Sequence, residues 1–377
     1  MKAQILATVA SAALLAGCSA AYGEDIETMA EADTETTAIP AGTGYFAADS
    51  TLPFKTPDFS RISEEDYVPA FEQGMAIQKA EIAAIIDNPA PPTFENTIVA
   101  LEKSGRMLGR VARVFFALTG SNTTDRLDDI NTEISPKLTA HGDSITLNPE
   151  LFARVKAVYD NRAAMTMTRE DAKLLEDTYD GMVHAGALLS GAEREQVKAI
   201  NSELSTLTTE FSQLARAAMN DNPVFFDSRS DLAGLSDSDI QSAADLAAEN
   251  GQPGKFAIAL QNTTQQPLLP SMENRAAREK LFMASYHRAD GRMDVDTRML
   301  IAKIAALRAE KAALFGQPDW ASYAMWDRMA EKPATALGFM EQMVPALAAT
   351  QRREAAMLNE AIAADGGDYD VKPWDWY

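Results

Sequence analysis

The feature that most constrains this fold is a series of apolar stripes at helical spacing, most of which follow a helix-capping sequence. The first stripe begins after Ser63-x-x-Asp66, a capping box in which each side chain accepts from the other residue's backbone N–H. Apolar residues recur every three or four positions to Ile85, and Asn88-Pro89 ends the run. The chain is therefore predicted to be mainly α. Apolar stripes predict further helices over residues 94–115, 127–138 (kinked at Pro136) and 300–314 (ended by Gly316 and Pro318). Helix-start sequences predict others at Asn148-Pro149, Thr168-x-x-Asp171 and Ser190. The helix that begins at Ser190 has a stripe that continues through residue 214.

One interval breaks the helical pattern. Residues 223–228 (PVFFDS) and 255–262 (KFAIALQN) are short, rich in β-forming side chains, and flanked by Asn, Gly and Pro. They predict two strands on either side of a helix that Ser236-x-x-Asp239 caps. No stretch repeats at a fixed period, so the pattern does not favour a solenoid. The expected architecture is a multi-helix chain with a small two-stranded β insertion.

The chain opens with MKAQILATVASAALLAGC, which has the organisation of an export signal. Lys2 supplies the positive charge, and the apolar run over residues 5–15 is shorter than the roughly 20 residues that cross a membrane. Leu15-Ala16-Gly17-Cys18 resembles the lipobox of bacterial lipoproteins, in which the cysteine is lipidated after cleavage. An ordinary secretory signal with an incidental cysteine is the alternative. We expect a signal peptide at residues 1–17 and lipidation of Cys18.

The residue after the predicted lipidation site bears on location. Ser19 stands where an aspartate would indicate retention at the inner membrane. The expected location is therefore the bacterial cell envelope, with the protein lipid-anchored at the periplasmic face of the outer membrane.

A small, acidic segment follows the predicted anchor. Residues 19–49 contain no lysine or arginine and have few apolar side chains around which to fold. Because like charges repel and little apolar surface can be buried, such a segment favours disorder. We expect an acidic disordered tether at residues 18–50 and a helical region at residues 51–377.

Charge and cysteine content exclude several classes of function. The formal net charge of −21 argues against nucleic acid as a partner, because phosphate backbones require clusters of lysine and arginine. The same charge argues against a broad electrostatic grip on anionic lipid, so a lipid anchor is the expected route to a membrane. Cys18 is the single cysteine, which excludes an intramolecular disulfide and a cysteine-based metal cluster.

Residue patterns that carry hydrolytic or metal chemistry are not found in the sequence. His141, His184 and His287 stand far apart, and none opens His-Glu-x-x-His, which places two zinc ligands and a general base on one helical turn. A partly buried helix position accounts for His184, and a surface position accounts for His287. Gly-x-Ser-x-Gly is absent, and Gly42-Thr43-Gly44 lacks the flanking strand and helix of a phosphate loop. We assign no catalytic and no metal-binding residue to this chain.

Three arginines share one predicted helical face. Arg106, Arg110 and Arg113 recur at intervals of three and four residues. Guanidinium groups form bidentate pairs with carboxylates, so this face could hold the carboxylate of a peptide. A solvated surface is the alternative interpretation.

Three aromatic residues stand within the last four positions, in YDVKPWDWY (residues 369–377). Each can bury about 150–250 Å², and together their burial is worth roughly 15 kcal/mol as an upper bound. One interpretation is a tail that folds back onto the body of the protein. The other is an element whose partners lie beyond Tyr377.

Several stretches resemble the thimet oligopeptidase and neurolysin family of zinc peptidases, and within it the bacterial peptidyl-dipeptidases. The resemblance runs in the family's order from residue 52 to the end, and the closing PWDWY resembles an element that continues further in relatives. The matching stretches are LPFKTPDFSRISEEDYVPAFEQGM (52–75), NPAPPTFENTIVALEKSGRMLGRV (88–111), NTEISPKLTAHGDSITLNPELFARVKAVYD (131–160) and LRAEKAALFGQPDWASYAMWDRMAEKPATALGFM (307–340).

This resemblance implies a fold and an activity. It implies two mostly helical halves around a channel, zinc bound in the later half, and release of dipeptides from the C-termini of short peptides. The residues present correspond to the N-terminal half, so no catalytic or zinc-binding residue of the family can be placed on them. The expected partners are short oligopeptides and the missing C-terminal half of the same enzyme.

Two functional expectations follow from the resemblance. In the first, zinc belongs to the full-length enzyme, is not bound by this chain, and the chain alone is inactive as a truncated form. In the second, the chain is complete and is a catalytically silent, lipid-anchored helical module that binds peptides.

Overall fold

The computed structural model describes residues 39–293 and 295–377, which form two compact units. The first unit ends at Thr209 and the second runs from Glu210 to Tyr377. The predicted signal peptide (1–17), Cys18 and the tether up to residue 38 lie outside the described residues and stay predictions.

The first unit is built from helices. Their starts agree with the capping signals: Ser63 N–H donates to Asp66 Oδ2 at 2.7 Å, Asn148 Oδ1 accepts from Leu151 N at 3.0 Å, and Thr168 Oγ1 accepts from Asp171 N at 3.1 Å. These bonds satisfy N–H groups that the first turn of a helix leaves free. The helices are α1 (Tyr67–Ile86), α2 (Ala100–Lys103), α3 (Arg106–Ser121), α4 (Asp125–Thr146, which continues through Pro136), α5 (Pro149–Asp160), α6 (Arg169–Ala185) and α7 (Gly191–Asn220), which crosses the division between the units.

The stripe over residues 94–115, predicted as one helical face, is broken in the structure. Phe94–Val99 form a π-helix, α2 follows it, and α3 begins only at Arg106. The backbone is extended at Ser104 and left-handed at Gly105 (φ +69°), a conformation that favours glycine. Apolar spacing continues across the break, so the periodic pattern concealed it. The pair Ser104-Gly105 was the signal that could have revealed it.

Two apolar clusters form the core of the first unit. In one, Phe71 of α1 meets Phe115 of α3 edge to face, with ring centroids 5.3 Å apart, and Ile130 and Ile134 of α4 complete the contact. Ring pairs in this geometry stabilise beyond the area they bury. The second cluster joins the π-helix to α5 and α6, and it includes Ile98, Leu151, Phe152, Val155 and Leu175.

The segment just before residue 50 is packed, which corrects the end of the predicted tether. Tyr45–Ala47 form a short 3₁₀ turn, and Phe46 is buried against Tyr67 in the first cluster. The Tyr45 hydroxyl accepts from the Asp58 backbone N–H at 2.6 Å. The ordered region therefore begins before residue 51, because Phe46 contributes to the core.

The second unit contains the predicted β insertion. β1 (Val224–Phe226) and β2 (Phe256–Ile258) pair antiparallel, with Phe225 opposite Ala257. Between them lies α8 (Asp237–Glu249), whose cap at Ser236 is confirmed by the bond from Asp239 N to Ser236 Oγ. The unit's core includes Leu232, Leu260, Leu269, Met272 and Leu281. The remaining helices are α9 (Asn262–Leu268), α10 (Arg275–Tyr286), α11 (Arg298–Leu314), α12 (Trp320–Ala324) and α13 (Pro333–Ala364). Over the residues that the structure describes, the fold is thus mainly α with a two-stranded insertion, as predicted.

The longest of these helices is also the least covered. α13 has 32 residues, and none of them is buried. Over residues 39–293 and 295–377, no helix combines the length and apolar character needed to cross a membrane.

Candidate functional site

The three histidines lie on different elements and each has its own environment. His141 of α4 is buried, with Nε2 2.8 Å from Gln78 Oε1. His184 is half-buried in the last turn of α6, as predicted. His287, predicted at the surface, directly follows α10 and its side chain is 14% exposed. His287 is therefore at the surface but partly covered, because Asp290 and Arg292 contact its two ring nitrogens.

A metal site requires several His, Cys, Asp or Glu side chains to converge on one point. Among the residues that the structure describes, no group of three or more His, Cys, Asp or Glu side chains is placed to hold a metal ion. The described residues therefore do not fit the zinc that the family resemblance implies. The assignment of no catalytic and no metal-binding residue to this chain stays a prediction.

A shallow groove between β1 and α10 combines apolar and charged side chains. It has a volume of about 470 Å³. Its apolar side chains can take an apolar ligand group, and its basic side chains can donate hydrogen bonds to a carboxylate. The lining residues are Val224, Phe225, Lys280, Met283, Ala284, His287, Arg292 and Met293.

Lys280 fixes the two walls of this groove to each other. Its Nζ donates to the backbone oxygen of Phe225 at 2.6 Å and lies 5.1 Å from the centre of the Phe226 ring. An ammonium group has three N–H donors, so one bond to a carbonyl leaves donors for a ligand. Lys280 is exposed, which keeps these donors accessible.

His287 contributes an oriented ring rather than a free base. Its Nδ1 lies 2.8 Å from Asp290 Oδ2, and Arg292 donates to Nε2. Because a guanidinium group can only donate, Nε2 is the acceptor of its hydrogen bond. The ring proton therefore lies on Nδ1, which donates a hydrogen bond to Asp290 Oδ2. The hydrogen bond from His287, with the Arg292 backbone N–H, holds the pKa of Asp290 below its usual value. Both ring nitrogens are engaged, so the groove has binding chemistry more than hydrolytic chemistry.

Of the three arginines on α3, Arg110 is a structural clamp. Its Nε donates to Phe46 O at 2.9 Å, and one terminal nitrogen donates to Ala47 O at 2.7 Å. The other terminal nitrogen bonds Asp49 Oδ1 at 3.1 Å. Arg106 and Arg113 are exposed, as the solvated interpretation predicts. Neither that interpretation nor a peptide carboxylate accounts for Arg110, which holds the segment before residue 50 against α3.

The C-terminal segment folds back onto α10. The Asp375 carboxylate accepts from Arg275 at 2.8 and 3.0 Å and from Arg278 at 3.2 Å, and Arg278 also donates to Trp374 O. The Arg275 guanidinium stacks 4.1 Å from the centre of the Tyr369 ring. Of the two interpretations of the aromatic end, folding back is confirmed for Trp374 and Asp375, whereas Trp376 and Tyr377 are 39% and 50% exposed. Sequence reasoning missed both arginines, although their i, i+3 spacing on α10 was visible.

The Asp375 carboxylate is nearly inaccessible to solvent, at 5% exposed. Burial by itself raises the pKa of Asp375. The hydrogen bonds from Arg275, the Lys372 N–H and Arg278 outweigh burial, so the pKa lies below its usual value. Asp375 therefore stays ionised inside the segment, because two guanidinium groups and a backbone N–H donate to its carboxylate.

A buried polar chain pins the break between α2 and α3. His141 Nε2–H donates to Gln78 Oε1, and Gln78 Nε2 donates to Ser104 Oγ at 3.2 Å. Ser104 Oγ then donates to Leu101 O at 2.8 Å, at the end of α2. A Cβ on Gly105 would lie 2.4 Å from Gln78 Nε2, so a side chain there would displace the Gln78 amide from these hydrogen bonds. The chain ties α4, α1 and the α2–α3 junction together.

This arrangement predicts a pH dependence of stability. Burial, assisted by the charge of Lys79, lowers the pKa of His141. In the unfolded state the histidine pKa is about 6.5, so near this pH the unfolded state binds more protons than the folded state. The free energy of unfolding therefore falls as pH falls below about 6.5. His141→Gln keeps an N–H donor but does not titrate, so it is expected to lose this part of the pH dependence between pH 7 and 5. Urea unfolding followed by circular dichroism checks this, and equal pH slopes for both proteins would contradict it.

Comparison with known proteins identifies relatives of the chain. A family model described as Peptidase family M3 matches residues 268–377. The chain is 41% identical over 331 residues to the dipeptidyl carboxypeptidase of Escherichia coli, an alignment that covers 88% of this chain and 49% of that relative. It is 38% identical over 327 residues to the dipeptidyl carboxypeptidase of Salmonella typhimurium, covering 87% of this chain and 48% of the relative.

A more distant group of relatives aligns over the same extent. The oligopeptidase A of Salmonella typhimurium is 23% identical over 326 residues, covering 85% of this chain and 48% of the relative. The chain spans about half the length of the curated relatives it matches.

Proposed function

We propose that the chain belongs to peptidase family M3, whose model matches residues 268–377, and that it is the helical part of a peptidase that removes dipeptides from the C-termini of short peptides. The observation that carries the proposal is the 41% identity to a dipeptidyl carboxypeptidase over 88% of this chain. The proposal assigns this chain a role in peptide binding rather than in bond cleavage.

The groove between β1 and α10 supports a peptide-binding role. All its lining residues except Val224 and Phe225 lie within residues 268–377, the stretch that the family model matches. Its apolar side chains suit a peptide side chain, while Lys280 and Arg292 offer donors for a carboxylate. Dipeptide release from a C-terminus requires recognition of such a carboxylate.

Zinc, the cofactor implied by the family, supplies a Lewis acid and an activated water in peptide hydrolysis. The described residues do not fit it, so no step through zinc is derived for this chain. We place the zinc ligands in the half of the relatives that this chain does not span. The chain by itself is then expected to bind no stoichiometric zinc and to cleave no peptide.

The test compares two forms of the protein. The 377-residue chain with Cys18→Ser is purified, its zinc is measured by elemental analysis, and a blocked tetrapeptide is followed by mass spectrometry. We expect no bound zinc and no dipeptide product. A longer form that continues in frame into His-Glu-x-x-His is expected to release C-terminal dipeptides and to stop when a chelator is added. Stoichiometric zinc with chelator-sensitive dipeptide release by the shorter form would overturn the proposal.

The second candidate is a catalytically silent peptide-binding module. The groove favours it, because both ring nitrogens of His287 are engaged and the lining offers contacts more than chemistry. Peptide binding by the 377-residue chain, with an unrelated sequence after the Tyr377 codon, would support this candidate. An in-frame His-Glu-x-x-His segment would reject it.

The proposed location is the periplasmic face of the outer membrane, with the protein attached through a lipid on Cys18. The support is the sequence of residues 1–18 and the serine that follows. An anchor of this kind needs more than one acyl chain to be durable. If Cys18 is lipidated, the wild-type protein partitions into detergent and the Cys18→Ser variant used above does not. Equal partitioning would contradict the anchor.

A further inference from the structure

β1 has an edge that β2 does not cover, and this edge lines the groove between β1 and α10. Phe225, the middle residue of β1, stands opposite Ala257 of β2. In an antiparallel pair, successive residues direct their backbone N–H and C=O alternately toward the partner strand and away from it. The Phe225 oxygen accepts from Lys280 of α10 at 2.6 Å. Phe225 therefore directs its backbone N–H and C=O away from β2 and into the groove.

The two polar backbone groups of Phe225 differ in their use. The C=O accepts from Lys280, whereas no described residue outside the pair of β1 and β2 accepts from the N–H. An unpaired N–H at a strand edge is a donor to which another extended chain can bond. A lysine on an edge can block such pairing, but Lys280 occupies only the C=O and leaves the N–H open.

The side chains beside this edge suit a peptide that carries a negative charge. Lys280 and Arg292 line the groove, and among the described residues no acidic side chain does so. Both cations are exposed, so their remaining N–H donors are accessible. The apolar lining includes Met283 and Met293, whose unbranched side chains adapt to different partners. The lining thus complements an extended peptide that has an apolar side chain and a carboxylate.

Arg292 is held at the groove by its neighbours. It donates to His287 Nε2, and its Nε lies 3.6 Å from Asp290 Oδ2. A guanidinium group has five N–H donors, so these contacts leave donors for a ligand. Because the side chain is already restricted, it loses less freedom when a carboxylate binds.

We propose that this groove binds an extended peptide as a third strand on the free edge of β1, with a carboxylate of the peptide against Lys280 and Arg292. The proposal rests on the proposed function and specifies the mode of peptide binding. The Phe225 N–H donates to a peptide carbonyl, and the two cations bind either the C-terminus of the peptide or an acidic side chain. Backbone pairing gives affinity for any extended chain, so the carboxylate supplies the selectivity.

A second copy of this chain, paired edge to edge, is the other occupant to weigh. β1 has three residues and follows Pro223, which has no N–H to donate. Very short strands and prolines are features that limit pairing between sheet edges. Each copy also carries a formal net charge of −21, so association of two copies works against mutual repulsion. A short peptide needs only the Phe225 N–H and the two cations, which favours it as the occupant.

Two matched pairs of variants of the 377-residue chain, each made with Cys18→Ser, test the proposal. Lys280→Met removes the charge beside the edge, and Lys255→Met removes the same charge from an exposed position outside the groove. Phe225→Val removes the aromatic ring, and Phe225→Pro removes both the ring and the N–H. Circular dichroism and urea unfolding check that each variant is folded.

Three peptides serve as probes, and isothermal titration calorimetry measures their binding. The first is acetylated Ala-Val-Thr-Val-Ala with a free C-terminal carboxylate, and the second is the same peptide with a C-terminal amide. The third is the amide peptide with Glu in place of Thr. We expect the first or the third to bind at least about tenfold more tightly than the second, because charge-assisted hydrogen bonds are the stronger ones. A preference for the first assigns the carboxylate to the C-terminus, and a preference for the third assigns it to a side chain. Equal affinity for all three would overturn the proposal.

The variants separate charge from backbone pairing. Lys280→Met should bind the preferred peptide at least about tenfold more weakly, whereas Lys255→Met should bind it like the parent chain. Phe225→Pro should bind at least about tenfold more weakly than Phe225→Val, because the donor to the peptide carbonyl is lost. Equal affinity within either pair, or no peptide binding by the parent chain, would contradict the proposal. So would a dimer, seen by size exclusion, that Phe225→Pro dissociates, because the edge would then belong to a second copy.

A measurement on the unsubstituted edge covers the case in which Phe225→Pro does not fold. Hydrogen exchange of the Phe225 amide is followed by mass spectrometry with and without the preferred peptide. Because this N–H gains a partner when the peptide binds, its exchange should slow at least about tenfold at saturation. Unchanged exchange with the peptide bound would show that the peptide does not pair with β1.

Peptide binding and the proposed function are read separately. Dipeptide release is measured on the longer form that continues into His-Glu-x-x-His, and groove binding is measured on the 377-residue chain. Binding with the expected variant pattern, but no dipeptide release by the longer form, rejects the proposed function and leaves the groove standing. Dipeptide release without groove binding rejects the groove alone.

Discussion

Replacing Gly234 by alanine is expected to destabilise the second unit by more than about 3 kcal/mol, whereas the same replacement at Gly254 should cost about 1–2 kcal/mol. Both glycines have positive φ, +91° and +90°, so a side chain carries a conformational penalty at both. They differ in space. A Cβ on Gly234 would lie 2.0 Å from Ser271 O, whereas a Cβ on Gly254 would meet nothing within 4 Å.

The cost at Gly234 is high because the obstructing atom belongs to the backbone. The Glu273 N–H donates to Ala233 O at 2.9 Å, so the chain around residue 272 is hydrogen-bonded to the glycine's neighbour. Leu232, Leu269 and Met272 pack together in the core directly beside it. Making room for a methyl group therefore requires the backbone to move within a close-packed core.

Thermal or urea unfolding of the two variants and the wild type measures the difference. Gly254→Ala isolates the conformational penalty, and the excess at Gly234 isolates the steric one. Equal destabilisation by the two replacements would show that the approach to Ser271 O is not tight in solution.

Local signals in the sequence predicted much of the fold. Capping sequences at Ser63, Asn148, Thr168 and Ser236 predicted helix starts, because each such bond joins residues three positions apart. The antiparallel pair of β1 and β2 was also predicted, since composition and flanking breakers mark short strands. A contact can be predicted from a local sequence pattern when both of its partners are near each other in sequence.

Non-local contacts explain what was missed. Arg110 clamps carbonyls 63 and 64 residues away, and Lys280 reaches Phe225 across 55 residues. The groove between β1 and α10 forms only when these distant elements meet, so no local pattern marks it. The partial covering of His287 is different, because Asp290 and Arg292 stand only three and five residues further along the chain.

The C-terminal segment is the longest-range of these contacts and carries the second large prediction. Asp375 joins Arg275 and Arg278 across 100 and 97 residues. Asp375→Asn keeps the shape of the side chain but removes its charge, leaving two largely covered guanidinium groups without their counter-ion. Removing one partner of a buried ion pair costs about 3–5 kcal/mol, and the partial exposure of Arg275, at 30%, reduces the expected loss here to about 2 kcal/mol.

The pH dependence of this contribution has a definite sign. The folded-state pKa of Asp375 lies below its unfolded value, so the stabilisation is complete above about pH 4 and is lost as pH falls through the folded pKa.

Asp370→Asn is the matched control, because it makes the same change at an exposed position of the same segment. Urea unfolding at pH 7 should show the loss for Asp375→Asn alone, and limited proteolysis should release residues after about Val371 faster. Because Trp374 has a buried Nε1 without a partner among the described residues, the aromatic contacts and the Asp375 pairs must together outweigh that cost. Equal stability of the two variants would mean that aromatic packing alone holds the segment on α10.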